Sequence, residues 1–181
     1  MALLTLAEAK AQLDIESNTD DEELQAYIDS LTAVIERYTG PVETREFSEM
    51  IEGHKVSMCL THIPAVALVS VVPTLPTGDP LNLDDMLLDA PKGIVWHKTG
   101  SFAGTLWTVK YTAGRSAIPA TINLAARMLL AHLWRTQYGA ARGGSGSDDY
   151  SVTEPIPGFG YAIPNRVLEL LEPYKLPPGV A

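Results

Sequence analysis

Cysteine is almost missing from this chain: its 181 residues include one, Cys59. No disulfide can form within a single copy. One thiol and four scattered histidines (His54, His62, His97, His132) do not make a Cys/His zinc site, so neither a metal nor a cofactor is expected. Long apolar runs are also missing. None reaches the ~18 residues of a membrane span, and no membrane partner is expected. The opening MALLTLAEAK lacks the basic start and apolar stretch of a secretory signal. These absences lead to the expectation of a soluble protein made in a reducing compartment. The length fits one domain with appendages, able to bury roughly 70% of its unfolded surface without covalent staples.

Acidic residues are missing altogether between Asp89 and Asp148, although the net charge is -9. Residues 1–54 hold 13 acidic and 3 basic residues, and residues 55–181 hold 9 and 10. The acid-free stretch carries Lys92, Lys98, Lys110, Arg115, Arg127, Arg135 and Arg142. Two solvated faces would explain this division. So would head-to-tail self-association, with the acidic front of one copy against the basic middle of the next. A pI of about 4.8 argues against tight nucleic-acid binding, which favours dense basic stripes.

Thr5 and Glu8 have capping-box spacing, and Leu6, Ala9 and Leu13 share a face, which predicts a short helix over 5–13. Thr19 and Glu22 repeat the spacing, with Asp20, Asp21, Glu22 and Glu23 placed where the helix dipole favours negative charge. Leu24, Tyr27, Ile28, Leu31, Ile35 and Tyr38 then predict a helix over 19–38, closed by Gly40 and Pro41. The period next shortens to two. Met58 alternates with a half-buried Cys59, 65–72 is a β-branched run, 86–89 and 94–97 flank a hairpin turn, and Trp107, Val109 and Tyr111 alternate. One antiparallel unit of five or six strands is expected over about 43–113. Pro119 opens a third helix over 119–138, rich in small residues, with Gly139 as its stop. Seven Gly and six Pro in residues 139–181 predict a loop and flexible arm, within which Ile163, Val167, Leu168, Leu170 and Leu171 mark a short helix over 164–172.

No enzyme constellation emerges. Cys59 lies near His54 and His62 but lacks an orienting third group, so a plain strand cysteine is the better reading. The GGSG at 143–146 has no following Lys-Ser/Thr and reads as linker. Asp84, Asp85 and Asp89 lack a Gly-centred loop with a closing Glu and read as turn acids. Trp96, Trp107 and Trp134 sit in apolar elements as anchors.

The order of parts is distinctive: DDEELQAYIDSLTAVIERYTG, then VKYTAG running to the Ile118-Pro119 pair, then the late IPNRVLELL. In this order, over about residues 5–175, the chain resembles the head-to-tail connector (adaptor) family of long-tailed double-stranded DNA bacteriophages. The resemblance implies an α+β fold, a helical bundle of three main helices with an inserted small antiparallel β-sheet. Its core would span 1–139, followed by a flexible C-terminal arm over 140–181 carrying the short helix. It implies a structural virion protein at the head–tail interface, assembled in the host bacterial cytoplasm, with no catalytic residue. Its partners would be copies of itself in a dodecameric ring, the portal protein, and head-completion or tail proteins. Double-stranded DNA would pass through the channel without sequence-specific binding. The portal-docking arm would be Tyr161, Ile163, Pro164, Arg166, Val167, Leu170 and Leu171, loosely held until docked. Ring contacts would join Arg127 and Arg135 to Asp20, Asp21, Glu22 and Glu23. Head-completion proteins proper are expected to be richer in β structure. The alternative function is a DNA-binding or DNA-packaging accessory protein, although some seventy β residues separate the two helices that would form a helix-turn-helix.

Overall fold

The computed structural model describes residues 3–75, 78–104, 106–138 and 163–176. Helix α1 spans Leu6–Leu13, and its capping box is complete: Thr5 Oγ1 accepts from the Glu8 N–H, and Glu8 accepts from the Thr5 N–H at 2.9 Å. Helix α2, Asp21–Thr39, begins two residues later than its sequence pattern. Asn18 and Asp21 close a turn first, and the Asp20 carbonyl accepts the first helical bond, from Leu24. Gly40 ends α2 in the left-handed region at φ 72°, its N–H bonded to the Glu36 carbonyl. The Arg115 guanidinium donates to the Thr39 and Pro41 carbonyls, satisfying acceptors the helix end leaves open.

Six strands follow: β1 (Arg45–Glu52), β2 (Ser57–Cys59), β3 (Ala65–Pro73), β4 (Met86–Asp89), β5 (Ile94–His97) and β6 (Leu106–Ala113). They form two antiparallel three-stranded sheets, ordered β1-β6-β3 and β2-β5-β4. The expectation of one sheet is corrected here. β6 has eight residues and pairs along its length with both β1 and β3, whereas β2, β4 and β5 are three or four residues long and pair with one another. Alternation turns Met58, Met86 and Val95 of the short sheet, and Val71, Val109 and Tyr111 of the long one, into a shared core. Cys59, on the opposite parity from Met58, is exposed and not half-buried.

Helix α3 is Ala120–Tyr138, and α4 is Asn165–Leu171, followed by a 3₁₀ turn at Glu172–Tyr174. Contacts divide the chain into two compact units. One holds both sheets, Glu36–Ile118, with Lys175 and Leu176. The other holds α1, α2 as far as Ile35, α3 and α4. In the helical unit Leu24, Ile28, Leu31, Ile122, Ala125, Ala126, Leu129 and Leu130 are buried. Val167 and Leu171 of α4 are buried with them. The short helix is therefore part of the folded helical unit, not a loosely held element awaiting a partner. A seven-residue helix is marginal alone, and burying two branched side chains, at ~1.5–3 kcal/mol each, is what holds it. The Gly139 stop and the rest of the expected flexible arm before Ile163 lie outside the described residues.

Candidate functional site

The first turn of α2 is acidic, with Asp21, Glu22 and Glu23 in succession. Glu22 and Glu23 are exposed there. Asp21 is engaged within the chain, since Lys10 Nζ reaches its Oδ1 and Asn18 Oδ1, each at 2.7 Å. The two arginines matched to this acid in the sequence are placed differently. Arg135 is exposed on the last turn of α3. Arg127 instead donates to Glu8 Oε1 at 2.7 Å, tying α3 to the start of α1. Its guanidinium is already paired inside the copy, which leaves Arg135 as the outward cation of the two.

Glu8 is thus shared between its own cap and Arg127. The Thr5 backbone N–H, then the Thr5 hydroxyl, hold its carboxyl below the usual value, with Arg127 adding to the effect. A carboxyl depressed in the folded state stabilises the fold above its unfolded pKa and loses that contribution as pH falls through the folded one. Wild-type protein is therefore expected to lose stability on acidification below about pH 4.5, and Glu8→Gln to flatten that limb of the curve. Thermal melts of both proteins between pH 3 and 7 check this; parallel curves would mean that Glu8 does not contribute.

Beside the acidic turn, α2 and α3 leave an apolar groove of about 280 Å³. Leu31 and Leu129 are its buried floor, Ala26, Tyr27, Val34 and Leu133 its walls, and Ile163 one end. Glu23 and Ser30 are its polar edge. Tyr27 is fixed by an edge-on contact with Trp134, ring centres 5.7 Å apart. By their period Leu31 and Tyr27 belong to a core face, which conceals this groove in the sequence. The one signal was Ala26 and Ser30, small residues four apart on α2 where larger ones would have closed it.

The expected docking arm divides by burial. Val167 and Leu171 face inward, Arg166 is exposed, and Ile163, Pro164 and Leu170 are half-buried. Tyr161 lies outside the described residues.

In the sheet unit, a polar group centres on Tyr111. Its hydroxyl donates to Glu49 Oε1 at 2.8 Å and accepts the His62 N–H at 2.9 Å, while the Thr61 N–H also reaches Glu49. Burial pushes the Tyr111 hydroxyl well above the usual phenol range, so it remains a donor. Phe47 stacks on His62, ring centres 4.0 Å apart, and Arg45 lies over Phe47. Every polar atom named here is satisfied by a neighbour, and the group pins the 61–64 loop to β1 and β6. These bonds brace the loop against the long sheet.

A family model described as "Head completion protein" matches residues 2–176. The chain belongs to the head completion protein family. Members of this family are structural virion proteins and not enzymes, and so is this chain. Among solved structures it is similar to a chain in the neck of an empty gene transfer agent particle computed with C6 symmetry. The two are 19% identical over 97% of this chain and 90% of that one, with a TM-score of 0.66. A chain in the neck of the native particle computed with C12 symmetry gives 19% identity, the same coverages and a TM-score of 0.65. A chain in the virion of the native particle gives 20% identity over 99% and 94%, with a TM-score of 0.63. No curated protein matches the sequence. The resemblance to head-to-tail connectors is borne out at this level. The expected contrast with β-rich head-completion proteins is not: this head completion protein has two helices of nineteen residues.

Proposed function

We propose that this head completion protein forms a ring in the neck of a phage-like particle, docked beneath the portal and offering a platform to tail-side proteins. The observation that carries the reading is the family match over nearly the whole chain, supported by a shared fold with chains from C6 and C12 necks. Twelve copies is the number we adopt from the C12 neck. Docking to the portal would use the side of α4 that its own packing leaves outward, Arg166 and Leu170 with Ile163 and Pro164, since Val167 and Leu171 are buried. The channel would carry DNA without holding it. A charge of -9 per copy repels phosphates and provides none of the counterion release that drives tight duplex binding.

Deleting the gene in a producing cell should leave DNA-packaged heads that fail to join tails, with joining restored by the gene supplied in trans. Particles of normal count and morphology without it would overturn the proposal. The accessory DNA-binding reading makes an opposite prediction for the purified protein. We expect no shift of duplex DNA in a gel assay at ~150 mM salt, whereas a shift at submicromolar protein would favour that reading.

A further inference from the structure

We propose that the α2–α3 groove of one copy receives the outer stripe of α3 from the next copy, and that this is the head-to-tail contact of the ring. The inference rests on the ring reading above and assigns it a surface. Leu124, Met128, Ala131 and Arg135 recur at intervals of four, three and four, so they share one face of α3. Leu124 is 47% exposed, a large apolar side chain on the outer side of α3. Arg135 is exposed at the end of the same stripe.

The groove matches this stripe in chemistry. Its middle is apolar, and the acidic first turn of α2 with Glu22 and Glu23 lies at one edge. An apolar knob with a cation beyond it meets an apolar recess with acid beyond it. The match depends on the field of the whole acidic turn and not on any one unpaired carboxylate.

The knob Leu124 and the groove wall at Leu133 also lie on opposite faces of α3. Leu124 on the stripe and Leu133 on the groove wall are nine residues apart, which at 3.6 residues per turn is two and a half turns. A copy can thus fill its neighbour's groove while its own stays open for the copy behind. That is the requirement of a heterologous contact, which propagates in one direction until it closes. A groove of about 280 Å³ admits a few side chains and not a helix, so Leu124 and Met128 enter as knobs. Each contact is small, and closure of the ring multiplies it.

The test uses two full-length variants at exposed positions, Leu124→Asp and Ala26→Asp. The first spoils the knob and leaves the groove; the second does the reverse. Light scattering and negative-stain imaging read the assembly, and circular dichroism melts confirm that each variant folds. Each alone should self-associate at least about thirtyfold more weakly than wild type, as for loss of a central apolar contact. Mixed, they retain one good knob and one good groove between them, so they should pair one-to-one and grow no further. Wild-type-like rings from both variants would overturn this contact and leave the ring reading standing. A wild-type chain that stays single both alone and on portal-bearing heads would overturn both.

Discussion

Replacing Phe102 with alanine is expected to destabilise the protein by about 3–5 kcal/mol, the range for deleting a fully buried aromatic ring. Phe102 belongs to no strand, yet none of it is exposed. Its ring meets the edge of Trp107 at 6.0 Å and tilts against His97 at 5.4 Å. Its backbone is also engaged, the N–H donating to the Lys55 carbonyl at 2.6 Å and the carbonyl accepting the Trp107 indole N–H at 3.0 Å. Gly53 exists to let it in, because a Cβ there would run into the Phe102 backbone. The loop after β5 is therefore anchored in the core shared by the two sheets. Urea denaturation of wild type and Phe102→Ala measures the cost directly, and a loss below about 1 kcal/mol would show that the loop, not the ring, carries the order.

The second large effect is expected at Gly40, where two penalties combine. Its φ of 72° is one that side chains adopt reluctantly, and a Cβ would collide with the Ile63 carbonyl. Gly104 has a similar φ of 79° with open space around it, which makes it a control for the conformational part alone. Gly104→Ala should cost ~1 kcal/mol and Gly40→Ala about 3 kcal/mol, the difference being the forced separation of the α2 terminus from the 61–64 loop. Equal melting temperatures for the two variants would mean that the loop yields without strain.

What the sequence made legible was local. The Thr5–Glu8 cap, the Gly40 stop and the hairpin from Met86 to His97 each depend on residues within a few positions of one another, and each stands where its pattern placed it. What it hid was set by partners far along the chain. The period-two pattern of Met58 is the same in one sheet of six as in two of three. The choice is made by β6 pairing on both edges, which no local signal reports. The helix at Asn165–Leu171 was found, but its glycine- and proline-rich setting argued for looseness, and only the burial of Val167 and Leu171 shows it to be fixed. Arg127 and Arg135 look alike as cations on α3. Glu8, 119 positions away from Arg127, makes one an internal clasp and leaves the other facing outward. The groove was least legible, because residues that read as core from their period line a surface left open by two small neighbours.

The exposed Cys59 on β2 has a practical consequence. A chain with one reachable thiol can be covalently tied to at most one other, so oxidised preparations stop at pairs and never climb a ladder. The same thiol takes one maleimide dye per copy, which allows photobleaching steps to count the subunits in a single particle.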